Sequence, residues 1–403
     1  ANVALMNDIG YDVATIGNNE GITLAHDDLH TLYDEADFQV VCANLRSRRN
    51  DSPQWLKNMF QVESIGGVKI GFIGLTAPFN AFYELLDWHV SNPLETLRVM
   101  LQRATKTCDV IVLLSHLGIN EDREISRLFP DVDVIIGGHT HHLLRTGEKV
   151  NETIITAAGK HCAYVGEVII TWDHNEKKVV KKEAYTTNIT HLEKDIETLN
   201  AVNEWRSLAN KRLDQTVLQT NRQIDVEWFR ETEVMRRLTK MLQEWTNADC
   251  ALLNAGILLE SFPKGNITLN DIHRICPHPI NPCTVMLNGD ELMEVIRVAF
   301  TKELTDLPLK GFGFRGKVIG RFTFSGMSVF TRINEHGDET IIKVTKNGSP
   351  LKKEKRYLVA TIDTFTFGRL LPEIARATTK RYYLPEFMRD LLHMTLKEHF
   401  DVT

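Results

Sequence analysis

The stretch Val132-Asp133-Val134-Ile135-Ile136-Gly137-Gly138-His139-Thr140-His141-His142 constrains this chain most. An apolar, β-branched run of this length reads as a strand buried on both faces. Two glycines end it and let the backbone turn tightly. Histidines follow at i and i+2, in the loop at the strand's carboxyl end. In an open α/β sheet that edge is where ligands bind. Imidazole is the commonest neutral metal ligand, and a pair on a rigid strand end needs little further ordering. Alone, such a pair is more often two loop histidines that touch only water.

Two further places shift that balance. Val13-Ala14-Thr15-Ile16-Gly17 is a short strand followed by Asn18-Asn19-Glu20. Val110-Ile111-Val112-Leu113-Leu114-Ser115 is another strand, followed by His116. Each metal-capable side chain sits just past a buried strand, a repetition that scattered polar residues do not produce.

The chain has 403 residues, enough for two or three domains with substantial cores. Net charge is −6, which argues against a nucleic-acid polymer as partner. No apolar run approaches the roughly 20 residues of a membrane-spanning helix. Ala1 to Asn18 shows neither the basic start nor the long apolar core of a signal peptide. Cysteines 42, 108, 162, 250, 276 and 283 form no C-x-x-C pair and sit mostly in apolar runs, so reduced thiols and a cytoplasmic location are expected.

Along the chain, Asn2 to Ile9 reads as the end of a helix stopped by Gly10. Leu24 to Glu35 reads as a helix containing His26-Asp27-Asp28-Leu29-His30. Its two histidines share a face and could hold a metal, but no third ligand is obvious, and a solvated face is the expectation. Strands at Gln39–Leu45 and Val68–Leu75, an amphipathic helix at 93–107 and a shorter helix from Glu121 to Leu128 follow. Alternating strands and helices predict a layered α/β domain over residues 1–190. From 191 to 215, Leu192, Ile196, Leu199, Val202, Trp205, Leu208 and Leu213 recur at helical spacing, as in an interdomain connector. A second α/β domain is expected over 216–403. It holds helices at 231–246 and 289–301, strand-rich sequence to Thr361, an Asn347-Gly348 hairpin and a terminal helix from Tyr382 to Phe400.

At this point a family resemblance is visible. Gly17-Asn18-Asn19-Glu20, Leu114-Ser115-His116-Leu117-Gly118 and Gly137-Gly138-His139-Thr140-His141 resemble, in order, later motifs of the calcineurin-like metallophosphoesterases. Ala43-Asn44-Leu45, Ile70 to Thr76, Ala158 to Gly166, Asn254-Ala255-Gly256, Gly265 to Thr268 and Leu287 to Leu292 look like the 5′-nucleotidase branch. Bacterial cytoplasmic members with a Gly-Asn-Asn-Glu-Gly motif are the most similar. The resemblance covers nearly the whole chain. It implies a metallophosphoesterase sheet domain followed by a 5′-nucleotidase-type substrate-binding domain.

The resemblance also implies two divalent metal ions, with Mn²⁺, Zn²⁺, Fe²⁺ or Co²⁺ suited to mixed N/O ligands, and a bridging hydroxide that attacks phosphorus in line. By resemblance Asn18, His116 and His139 ligate one ion and His141 the other. Asn254, Gly256 and Phe365 then bind the substrate's organic part, with Phe365 stacked on a base. A core phenylalanine is the competing expectation for Phe365.

Three departures follow. The family's Asp-x-His and Gly-Asp motifs belong upstream of Ala1, so this chain holds part of a dinuclear site and is expected to be weakly active or inactive by itself. Asn19 stands where a histidine usually stabilises the transition state or protonates the leaving group, and an amide donates a hydrogen bond but no proton near pH 7. In the second domain Leu259 replaces an arginine, His278 an aromatic, and Phe367-Gly368-Arg369-Leu370 a ribose-gripping glycine motif. The expected function is a metal-dependent phosphohydrolase acting on a small nucleotide or nucleotide-like phosphoester. A non-catalytic descendant that binds nucleotide or phosphate as a sensor or partner protein is the alternative.

Overall fold

The computed structural model describes residues 2–64, 66–309, 311, 313–335, 339–368 and 370–400. Arg369, part of the altered glycine motif, lies outside the described residues. The chain divides into two compact units, Ala1–Asn203 and Glu204–Thr403, and their boundary falls within the helix Ile196–Leu213. Among the described residues no helix is long and apolar enough to cross a membrane.

The N-terminal unit is built on a six-stranded sheet. Its order is Glu148–Val150, Thr153–Thr156, Val134–Gly137, Val110–His116, Lys69–Thr76 and Met59–Glu63. The inner four strands are parallel and the two edges antiparallel. Side chains alternate between its faces. Ile73, Leu113, Ile135 and Ile155 enter a core with Leu97, Leu101 and Ile125 of the helices Pro93–Thr107 and Ile119–Leu128. Val112, Leu114, Val134 and Ile154 enter a second core with Val41, backed by Val168, Ile170 and Trp172 of a long hairpin. A strand with both faces buried must read as a continuous apolar run, which is what the sequence shows. Ile136, at the strand's end, is exposed. A separate three-stranded parallel sheet orders Val13–Ala14, Gln39–Val41 and Leu56–Lys57.

Two local features follow directly from residue type. Asn92 caps the helix Pro93–Thr107 by accepting from the Leu94 and Glu95 amides, and Pro93 fills its first position. Asn347 and Gly348 both take positive φ (50° and 77°), as the two-residue turn between Glu339–Lys346 and Ser349–Pro350 requires.

The C-terminal unit has a five-stranded mixed sheet in the order Phe322–Ser325, Cys250–Asn254, Arg356–Ile362, Pro282–Asn288 and Lys380–Tyr382. The Gly265–Thr268 and Leu287–Leu292 motifs end strands and cap helices. Thr268 with Asp271 and Asn288 with Glu291 form reciprocal capping boxes.

Two expectations are corrected. The terminal helix begins at Met388, not Tyr382, because Lys380–Tyr382 pairs with the Pro282–Asn288 strand and Pro385 cannot sit inside a helix. The helix expected over 24–35 shrinks to His26–His30, and its face is not solvated. His26 is buried, hydrogen-bonded to Ser47 Oγ through Nε2 (2.9 Å) and stacked on Trp88 (4.8 Å), while His30 donates to the Asp51 carbonyl. Both histidines are thereby committed to packing.

Candidate functional site

The parallel register sets the site. Thr76 pairs with His116 and Ser115 with Gly137, so three strands end together at one sheet edge. His116 is the last residue of its strand, and His139 stands two residues beyond Gly137. Asn18 opens the short helix Asn18–Thr23 that follows the Val13–Ala14 strand.

These side chains meet at one atom. The Asn18 Oδ1 accepts from His116 Nε2 at 2.9 Å and from His139 Nδ1 at 3.0 Å. An amide oxygen only accepts, so both ring nitrogens carry hydrogen in this arrangement. The two rings lie edge to face with centroids 5.1 Å apart. Gly17 has no room for a side chain, since a Cβ there would stand 2.9 Å from His116 Cε1 and 2.8 Å from Glu20 Oε2. Burial, aided by the neighbouring His139 and His141, lowers the His116 pKa to about 4. The His139 pKa is lowered too, first by burial and then by His141, with Glu121 opposing. Both rings are therefore neutral at pH 7, as ligand imidazoles must be.

His139 and His141 take left-handed backbone (φ 61° and 54°), uncommon for non-glycine residues and sustained only where the surroundings enforce it. His141 is exposed, and it adds to the lowering of the pKa of both other rings. Asn19 is exposed.

The donor set suits one divalent ion. Two neutral imidazoles and an amide oxygen already converge within hydrogen-bond distance, an N,N,O set of the borderline type. Among the described residues no three His, Cys, Asp or Glu side chains group as a metal site, and the third donor here is an amide. The set thus fits one ion in part.

Two residues beside this cluster escaped the sequence. Phe79 holds its ring 5.8 Å from that of His139, in the loop after the third converging strand. Asp122, buried in the first turn of Ile119–Leu128, accepts a hydrogen bond from Ser115 Oγ. Burial raises the Asp122 pKa to about 7. Neither an aromatic after a proline nor an acid early in a helix is a signal by itself.

The residues assigned by resemblance to substrate in the C-terminal unit have other work. Asn254 is buried and its Nδ2 donates to the Ile319 carbonyl at 2.7 Å. The Gly256 amide donates to the same carbonyl at 2.9 Å, and a Cβ on Gly256 would stand 1.9 Å from the Val318 carbonyl oxygen. Phe365 is fully buried (0% exposed) against Phe322, centroids 5.5 Å apart. A ring with no free face cannot stack on a base, so this arrangement favours the core role. The unit's large cavity, about 1080 Å³ between Phe229, Phe300, Arg321 and Ile341, has its Arg321 already paired with Glu339.

His278 and Asp363 supply a test in the same unit. His278 is buried, its Nε2 donating to the Ile257 carbonyl and its Nδ1 accepting from the Arg315 amide, both at 2.8 Å. The ring is neutral, its pKa brought down to about 4, chiefly by burial. Asp363 is pushed up to about 7 by burial, and its Oδ1 has no hydrogen-bond partner. An unfolded chain protonates histidine near 6.5 and releases the aspartate proton near 3.8. His278 therefore withdraws stability as pH falls from 6.5 towards 4, and Asp363 withdraws it as pH rises from 3.8 towards 7. Asp363→Asn should gain stability relative to wild type across that window, by up to about 1.4 kcal/mol per pH unit. Urea midpoints at pH 4.5 and 7 measure this. A difference independent of pH would show that Asp363 titrates normally.

The comparisons agree with this architecture. A family model described as 5′-nucleotidase, C-terminal domain, matches residues 209–369. A Bacillus subtilis (strain 168) protein named uncharacterized metallophosphoesterase YunD is 39% identical over 400 residues, spanning 99% of this chain and 86% of the relative. The NAD nucleotidase of Haemophilus influenzae matches with TM-score 0.64 at 17% identity, covering 98% of this chain and 83% of its own. A 5′-nucleotidase precursor from Thermus thermophilus matches with TM-score 0.58 at 20% identity, covering 98% and 82%. At such low identity the two structures bear on the fold, whereas the Bacillus relative carries the family as well. The chain belongs to the metallophosphoesterases of the 5′-nucleotidase family, a family of metal-dependent phosphoester hydrolases.

Proposed function

We propose that this protein hydrolyses the phosphoester of a nucleotide or nucleotide-like small molecule. Asn18, His116 and His139 hold one divalent ion and His141 contributes to a second. The observation that carries this is the convergence of the His116 and His139 ring nitrogens on Asn18 Oδ1, at 2.9 and 3.0 Å. Divalent ions there supply Lewis acidity toward a phosphoryl oxygen and a more acidic water. The chain's own residues do the rest. His116, held neutral by burial, needs only a change of tautomer, with no net loss of a proton near pH 7, to turn a lone pair on Nε2 toward an ion. The rigid strand ends fix the donors before substrate arrives. Asn19 can donate a hydrogen bond to the phosphoryl or leaving group but supplies no proton.

The three converging donors are all neutral, so they leave an ion's charge uncompensated. This 403-residue chain assayed by itself is therefore proposed to bind metal weakly and to turn over slowly. All six cysteines are free, which supports a reducing, cytoplasmic setting.

The test is a phosphatase screen across nucleotides, sugar nucleotides, cyclic nucleotides and an aryl phosphate, with Mn²⁺ added. Phosphate release should vanish with chelator, return with Mn²⁺ and favour a nucleotide. Release indifferent to chelator, or an aryl phosphate preferred over every nucleotide, would overturn the proposal. Calorimetry showing two tight metal sites would contradict the weak binding.

A further inference from the structure

The turn that carries His139 is held from one place. The helix Ile119–Leu128 starts at the same sheet edge, and its first turn reaches both strand ends. Asp122, 1% exposed, accepts from Ser115 Oγ through Oδ1. Ser115 is the immediate neighbour of His116, and its carbonyl accepts from the Gly138 amide at 2.8 Å. The other carboxyl oxygen of Asp122 lies against Gly137, where a Cβ would stand 2.6 Å from it. Gly137 ends the strand that leads to His139. At the start of the helix, the Ile119 amide donates to Thr140 Oγ1 at 3.2 Å. The helix therefore grips the segment 137–140 on both sides of His139.

Such a grip is needed. His139 and His141 both sit at positive φ, a backbone state that reverts unless its surroundings over-determine it. A one-residue shift at Gly137 or Ser115 would carry a ring off Asn18, since His116 and His139 reach that oxygen from different strands.

We propose that Asp122 is a positioning residue that, through Ser115 and Gly137, locks the ends of the two central strands so that His116 and His139 present their nitrogens to one point. It touches neither substrate nor ion. Its role toward metal rests on the function proposed above, whereas its role toward the two rings does not.

Groups that orient metal-binding side chains typically change metal affinity by about 10–100-fold when removed. Asp122→Ala in this chain should lower Mn²⁺ affinity by that factor, read by calorimetry. Asp122→Asn keeps the shape and an acceptor for Ser115 Oγ, and should restore it. In the metal-free chain, the ring ¹⁵N and ¹H resonances of His116 and His139 should shift together in Asp122→Ala and stay near wild type in Asp122→Asn. Ser115→Ala removes the same hydrogen bond from the other side and should shift the same resonances, so the test survives if Asp122→Ala does not fold. If the wild-type chain takes up no Mn²⁺, the function proposed above fails while the ring resonances still decide this inference. Unshifted rings in both Asp122→Ala and Ser115→Ala would overturn it, as would an Asp122→Asn chain as perturbed as Asp122→Ala.

Discussion

His116→Ala should abolish most of the metal-dependent activity while leaving the fold intact. His116 supplies one of three converging donors, and its Nε2 lies 2.9 Å from Asn18 Oδ1. Metal polarisation of a phosphoryl oxygen contributes several kcal/mol to transition-state stabilisation. At about 1.4 kcal/mol per decade, losing roughly 4 kcal/mol corresponds to on the order of a thousandfold in kcat/KM. Mn²⁺ affinity should fall by more than the roughly 10–100-fold of an outer-shell change. The unfolding transition should barely move, because His116 ends its strand and the sheet's cores lie below it. Measurements of Mn²⁺ binding, phosphate release and thermal unfolding on the same preparation separate these effects. Wild-type metal affinity and turnover in the variant would remove His116 from the site. A collapse of the unfolding transition would make it a structural residue instead.

Phe365→Ala should act on stability and not on nucleotide recognition. The ring is fully buried beside Phe322 in the core of the C-terminal unit. Truncating a buried phenylalanine costs about 3–5 kcal/mol, the lost transfer energy plus the cavity left behind. For a unit of roughly 200 residues, where 1 kcal/mol moves Tm by about 2–4 °C, the transition should fall by roughly 6–20 °C. Below it, nucleotide and aryl phosphate should be hydrolysed with KM values near wild type, and any loss should follow the folded fraction for both. Base stacking predicts the reverse. A stacked base contributes on the order of 1–3 kcal/mol, so the nucleotide's KM alone would rise roughly tenfold to a hundredfold, with little change in Tm. That result would return Phe365 to the substrate.

What the sequence determined is local, or repeated in one pattern. Val110 to Leu114, and Val134 with Ile135, are apolar at successive positions, and only a strand with both faces covered makes use of that. Pro93 behind Asn92, and Asn347 before Gly348, specify a helix start and a hairpin through φ preferences and side-chain hydrogen bonds that act within a few residues. The placing of His116 and His139 follows the same logic, since a donor just after each of two neighbouring parallel strands arrives at one edge whatever the loop between them does, whereas Asn18 comes to them from a separate sheet, which the sequence did not show.

What the tertiary structure decided depends on partners far away in the chain. Phe365 lies against Phe322, Asn254 donates to Ile319, and Lys380–Tyr382 pairs with Cys283 to Val285. No window around position 365, 254 or 380 contains those neighbours. His26 shows the same limit, because a histidine on a polar helix face became a buried one only when Ser47 and Trp88 closed over it. Asp122 is the sharpest instance. An acid in the first turn of a helix is ordinarily solvated, and only the parallel register that sets Ser115 beside Gly137 turns it inward between two strand ends. Propensity and periodicity act along the chain, whereas burial and hydrogen-bond partners are properties of its closure on itself.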